Sequence, residues 1–279
     1  MAVVGHLRGH APGAIFDVKV FERPDGKHAA VVRVDELPVP PCVTASGVVY
    51  QRVPGLTKPV TDQSVLAELV DRGRRARDNA EALSLRASQR ALAEPGALAE
   101  QDAQVAIALC PVRGANDPSG LLFSKGFVTR FVGLVQQQLR ADPQLMYSFG
   151  YSVQQDCVRA WPPSRELGSA WTATAYWDGA VSAAFSTTSA ELYISEFVAR
   201  VRDAWAVLVQ AATALGGSGT AHLAVAVRHD HPAIALRRVR PTHPVQRWTE
   251  LRAPQDEEVG AVERELLRSF GEDAWEPEG

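Results

Sequence analysis

Two alternating runs, WTATAYW (Trp171–Trp177) and AVSAAFS (Ala180–Ser186), flank the dipeptide Asp178-Gly179. Alternation with a period of two is the pattern of a half-buried strand. Asp-Gly between two such runs supplies the positive φ values of a type I′ turn. A two-residue turn of this kind joins antiparallel strands, so the second half of the chain is expected to be built on an antiparallel sheet.

Neighbouring segments fit that sheet. Val105–Cys110 and Val158–Trp161 read as strands, with further strand character from Met146 to Val153. His222–Val227 and Ile234–Val239 read as two more strands about a His-Asp-His-Pro turn. Helices are expected between them. One is capped by Ser124 and carries Phe127, Val128, Phe131, Val132, Val135 and Leu139 on one face. Another follows Ser189, carries Val201, Trp205, Leu208 and Ala212, and stops at Gly216-Gly217. A last helix spans about Gln255 to Phe270, with Asp256, Glu257 and Glu258 in its first turn, where the helix dipole favours acids.

The first half is different in texture. IFDVKVFE and HAAVVRV flank Pro24-Asp25-Gly26 as a β-hairpin. Pro38, Pro40 and Pro41 interrupt any regular element. Cys42–Thr44 and Val48–Val53 flank a tight turn at Ala45-Ser46-Gly47, and Pro54-Gly55 ends that strand. Thr61 or Asp62 caps a helix with Val65, Leu66, Leu69 and Val70 on one face, which continues to the break at Glu94-Pro95-Gly96.

The resulting expectation is an α+β protein in three parts. Residues 1–72 form a small β-rich domain, 73–96 a linking helix and its break, and 97–279 a two-layer domain of mainly antiparallel sheet with packed helices.

Composition narrows function by exclusion. The 279 residues carry a formal charge of −3, so affinity for nucleic acid has to be local. Three widely separated cysteines have no metal or redox spacing, which fits a reduced, cytoplasmic setting. The N-terminus lacks signal-peptide character, and no apolar run approaches the roughly 18 residues of a membrane span.

Residues 15–70 carry a more specific pattern: Val31-Val32-Arg33-Val34, then Pro40-Pro41, then Gly47-Val48-Val49-Tyr50-Gln51-Arg52-Val53, then Thr57-Lys58-Pro59-Val60-Thr61-Asp62 and Leu66–Leu69. This resembles the C-terminal half of the Schlafen-type AlbA_2 domain, also called divergent AAA-4. The resemblance covers about a fifth of the chain. It implies a capacity to bind DNA or a nucleotide such as ATP. Two departures weigh against catalysis. Pro54 replaces a family glycine and cannot donate a backbone N–H to phosphate. The family's N-terminal half, with its Glu…Glu-x-Lys and Asn-Thr-x-Gly-Gly segments, has no counterpart here, so the chain is expected to be a fragment of the domain.

Candidate binding residues follow from local chemistry and that resemblance. Arg72, Arg74, Arg75 and Arg77 form the most basic local cluster, and with Arg52 and Lys58 could contact phosphates. Tyr50 and Arg52 lie two apart on a strand and share a face, offering an aromatic ring and a cation to a base. The bland alternatives are a solvated helix face paired to Asp71, Asp78 and Glu81, and ordinary cross-strand packing. His229-Asp230-His231, with His222 and His243 in reserve, lacks recognisable metal spacing. Gly114–Gly120 lacks the Gly-Lys-Ser/Thr ending of a phosphate loop. No catalytic residue, metal site or resident cofactor is assigned.

The leading expectation is a non-enzymatic regulatory or accessory protein with a nucleic-acid- or nucleotide-binding remnant. One alternative is an interaction module in which the C-terminal sheet and its tryptophans, with Trp171 and Trp177 on one strand face, form a homodimer or partner surface. Another is a piece of a nucleotide-dependent enzyme whose catalytic half is missing.

Overall fold

A computed structural model describes residues 16–34, 40–53, 56–93, 103–112, 118–138, 150–161, 171–187, 194–228 and 244–269. The chain falls into two compact units, Met1–Asn79 with Val112–Asn116, and Ala80–Pro111 with Asp117–Gly279.

The first unit contains two separate hairpins. β1 (Phe16–Glu22) pairs with β2 (His28–Val34), Phe16 opposite Val34 and Glu22 opposite His28. Gly26 takes φ +73° in the turn, which the missing side chain permits. Val20, Phe21, Val31 and Val32 are exposed, so neither face of this hairpin is covered among the described residues. β3 (Tyr50–Val53) pairs with β4 (Leu56–Pro59). The sequence pattern does not announce this second strand. β3 ends at Val53, directly before Pro54-Gly55, where the sequence places the end of that strand. The anticipated Cys42–Thr44 strand reduces to a single bridge between Val43 and Val49.

Helix α1 (Gln63–Ala93) runs from the first unit into the second; the division lies between Asn79 and Ala80. Asp62 is its cap: the carboxylate accepts from Ser64 N–H at 2.8 Å and from the Ser64 hydroxyl at 2.7 Å. These bonds hold the Asp62 carboxyl below its ordinary pKa.

The second unit is organised on a seven-stranded antiparallel sheet, in the order β11-β10-β5-β9-β8-β7-β6. These strands are β5 (Ala103–Pro111), β6 (Gly150–Val153), β7 (Cys157–Trp161), β8 (Trp171–Tyr176), β9 (Val181–Thr187), β10 (Thr220–Arg228) and β11 (Val245–Glu250). On one face Val105, Ile107, Leu109, Trp171, Ala173, Ala175, Val181, Ala183, Leu223 and Val225 form a core with three helices. They are α3 (Lys125–Gln138), α4 (Ile194–Ala214) and α5 (Asp256–Ser269); the short α2 (Ser119–Leu122) precedes them. Trp205, Leu208 and Leu215 from α4 and its end, and Phe131 and Val135 from α3, are fully buried there. Each such side chain contributes about 1.5–3 kcal/mol of transfer free energy.

The opposite face is covered by residues 80–93 of α1. Ala80, Ser84, Ala87, Ser88 and Ala91 are buried at helical spacing, and Ala91 clusters with Ala106 and Ala184 of the sheet. The α+β class therefore holds, and the helix expected to be a linker adds a layer on the second face of the sheet.

Local chemistry explains the element ends. Ser124 caps α3 through Phe127 N–H at 3.2 Å. Glu258 in the first turn of α5 accepts from Gln255 N–H at 2.9 Å, half of a capping box. Gly216 has φ +78°, Gly217 N–H bonds Ala212 O and Gly216 N–H bonds Thr213 O, which together close α4 as a Schellman motif.

The β8–β9 connection corrects the type I′ expectation. Asp178 is not at positive φ; only Gly179 is, at +86°. Gly179 N–H bonds Tyr176 O and Tyr176 N–H bonds Ala180 O. The loop is thus three residues, Trp177-Asp178-Gly179, a type I turn followed by a left-handed glycine. The extra residue moves Trp177 out of the strand and leaves it 51% exposed, whereas Trp171 is buried in the core. The Trp171–Ala175 face is therefore internal, packed under helices. The expected strand at Ile234–Val239, the cap at Ser189 and Leu139 lie outside the described residues.

Candidate nucleic-acid interface

Arg72, Arg74, Arg75 and Arg77 are all exposed on α1. At 100° per residue they do not share one face. A narrow stripe of Val65, Leu69, Gly73, Ala76 and Ala80 is half-buried or buried along the helix. Arg72 and Arg75 flank the stripe on one side, Arg74 and Arg77 on the other. Within each pair the i,i+3 spacing sets the Cβ atoms roughly 5–6 Å apart. Leu66 and Val70, expected on the apolar face, are exposed at 36% and 50%. The apolar face is thus narrower than the sequence suggested, because small residues continue it.

Asp71 is a weak competitor for Arg74. Arg74 Nη2 lies 3.2 Å from Asp71 Oδ1, with both side chains more than half exposed. Arg75 Nε donates to the Asp71 carbonyl at 3.4 Å. An exposed bridge of this kind is worth about 0–1 kcal/mol and is screened by salt, so it holds Arg74 only lightly. Over the whole helix six Arg face four acids, which gives α1 a net positive balance within an acidic chain.

The β3–β4 hairpin divides the remaining candidates. Tyr50 opposes Pro59 and Arg52 opposes Thr57, whereas Gln51 opposes Lys58. Directly opposed residues share a face, so Tyr50 and Arg52 have register positions on one side and Lys58 on the other. Tyr50 is half-exposed and Lys58 exposed. The Arg52 side chain lies outside the described positions.

The second unit contains a polar pairing that the sequence did not signal. His222 on β10 is 2% exposed, and its Nδ1 lies 2.6 Å from Oγ of Ser84, which is fully buried on α1. The Ser84 hydroxyl donates to Glu81 O at 2.9 Å. A hydroxyl has one proton, so with that proton on the Glu81 carbonyl the donor to Oγ is Nδ1–H. Burial lowers the His222 pKa, and the nearby Glu81 charge opposes that shift. Trp248 packs edge-on at 4.8 Å between ring centroids. The Ser84 hydroxyl is fully buried and its proton is directed to the helix backbone. The two residues are 138 apart in sequence, and no local pattern links them.

Other candidates contribute no chemistry among the described residues. No group of three His, Cys, Asp or Glu side chains could hold a metal. His229, Asp230, His231 and His243 lie outside the described residues, as does most of Gly114–Gly120. Cys110 and Cys157 are buried and Cys42 is half-buried. No helix of the described residues is long and apolar enough to cross a membrane. No family model, curated protein or solved structure matches the chain.

Proposed function

We propose that this chain is a non-enzymatic regulatory or accessory protein that binds nucleic-acid or nucleotide phosphates through the arginines of α1. The observation that carries the reading is the exposure of Arg72, Arg74, Arg75 and Arg77 as two i,i+3 pairs. Guanidinium groups form charge-assisted, often bidentate bonds with phosphate, which exceed the weak surface bridge to Asp71. The AlbA_2-like pattern of residues 15–70 supports the same use, with Tyr50, Arg52 and Lys58 as further points of attachment.

Fluorescence anisotropy of a labelled DNA duplex, titrated across about 50–200 mM salt, tests this reading. Binding should weaken steeply with salt. Replacing the four arginines by Ala should reduce the salt slope by about one for each phosphate that is no longer neutralised. Competition by unlabelled ATP would assign the same surface to nucleotides. Absence of binding at the lowest salt, or an unchanged slope in the variant, overturns the proposal.

A further inference from the structure

The two edges of the seven-stranded sheet are treated differently. On β11, Arg247 is paired to Glu265 at 3.3 Å and Glu250 to Arg252 at 3.0 Å. Charged side chains of this kind discourage further strands from adding. On β6, Gly150-Tyr151-Ser152-Val153, there is no charge at all. Tyr151 opposes Ala160 and Val153 opposes Val158, both buried in the helix-side core. Tyr151 and Val153 thus extend that apolar face past its helical cover, and they are 55% and 52% exposed.

The backbone at this edge has a definite polarity. Gln154 N–H donates to Cys157 O. Opposed residues of an antiparallel pair alternate between bonded and non-bonded, so Ser152 and Gly150 turn their amide groups toward β7. Tyr151 and Val153 turn theirs outward, and no described strand pairs with them.

We infer that β6 is a self-association edge whose occupant is β6 of a second copy of this chain. A two-fold axis perpendicular to the sheet, passing at Ser152, sets Tyr151 opposite Val153 of the partner copy, and Val153 opposite the partner copy's Tyr151. The outward N–H and C=O groups of both residues are then all used. Each opposed pair is an aromatic ring against a β-branched side chain, a favourable cross-strand combination. Neutrality of the strand means that no like charges meet. A strand followed by its own reverse is self-complementary, which is what an isologous dimer requires. Four residues per copy make a small interface, so the dimer is weak and concentration-dependent. This differs from dimerisation through the face of Trp171, Ala173 and Ala175, which packs under the protein's own helices.

Analytical ultracentrifugation of the full chain over a concentration series up to about 1 mM tests the register. Wild type should show a reversible monomer–dimer equilibrium. The like-charge variant Tyr151→Lys/Val153→Lys sets Lys against Lys twice and should raise the dissociation constant about tenfold or more. The charge-swap variant Tyr151→Lys/Val153→Glu sets Lys against Glu twice and should associate within about threefold of wild type. Both side chains are more than half exposed, so circular dichroism and melting should match wild type in each variant. A wild type that stays monomeric overturns the inference. So does a like-charge variant that still dimerises, or a charge swap no better than like charges. Arg72, Arg74, Arg75 and Arg77 are untouched in these variants, so loss of the dimer with DNA binding intact separates this inference from the proposed function.

Discussion

A single buried imidazole gives the second unit a pH-dependent element. His222 is neutral in the fold because burial disfavours its charged form, and Ser84 accepts its Nδ1 proton. In the unfolded chain it titrates near its ordinary value of 6.5. Its folded pKa is lowered, so the unfolded chain binds the proton first. Stability is therefore fully present above about pH 6.5 and falls as the pH drops below that value, levelling off only beneath the folded pKa. Urea midpoints measured between pH 7.5 and 5 should decline in wild type, and His222→Gln should have a shallower slope. An equally steep decline in the variant would assign the effect to other groups. The sequence showed His222 only as a spare metal ligand in a strand. Its real partner is on a helix 138 residues away, and only packing brings the two together.

Element boundaries were legible wherever a local hydrogen bond makes them. Asp62, Ser124 and Gly216 sit where the sequence put the caps and the stop, because each satisfies backbone groups within a few residues of itself. The β8–β9 loop was legible as a hairpin but not in its type. Asp-Gly is compatible with both a two-residue and a three-residue loop, and register across the whole sheet selects the latter. β4 was missed because Leu56–Pro59 has neither alternation nor β-branched enrichment beyond Thr57; pairing with β3 creates it. Gly217 tests the helix stop. A Cβ there would stand 2.7 Å from Ala212 O and 2.6 Å from Pro111 Cγ. The carbonyl belongs to the helix backbone and cannot yield cheaply. Gly217→Ala should therefore destabilise by about 1–3 kcal/mol in chemical denaturation, within the range of a strained core change. Gly120→Ala, with open space around it, should be silent by the same measurement.

At the scale of the molecule, stability is concentrated in the sheet of the second unit. β5 is hydrogen-bonded on both sides, to β9 and β10, and its residues from Gln104 to Pro111 are buried. The β1–β2 hairpin has two strands and exposed side chains on both faces. An isolated hairpin is marginal in water. Hydrogen exchange followed by mass spectrometry should find the amides of β5, β9 and β10 slowest and those of β1 and β2 near the unprotected rate. Strong protection of β1 and β2 would show that this hairpin is covered. The sequence by itself determined the α+β class, the capped helices and the antiparallel hairpins, because periodicity and capping act over a few residues. It also marked the arginines of α1, as a local charge cluster. Tertiary structure alone decided three things. It assigned small residues of α1 to the second face of the sheet. It placed Trp171 inside and Trp177 outside. Among the described residues it left β6, not the Trp171 face, as the exposed apolar edge. Each depends on which strands become neighbours, and strand order is set by packing between residues far apart in sequence, which no local pattern encodes.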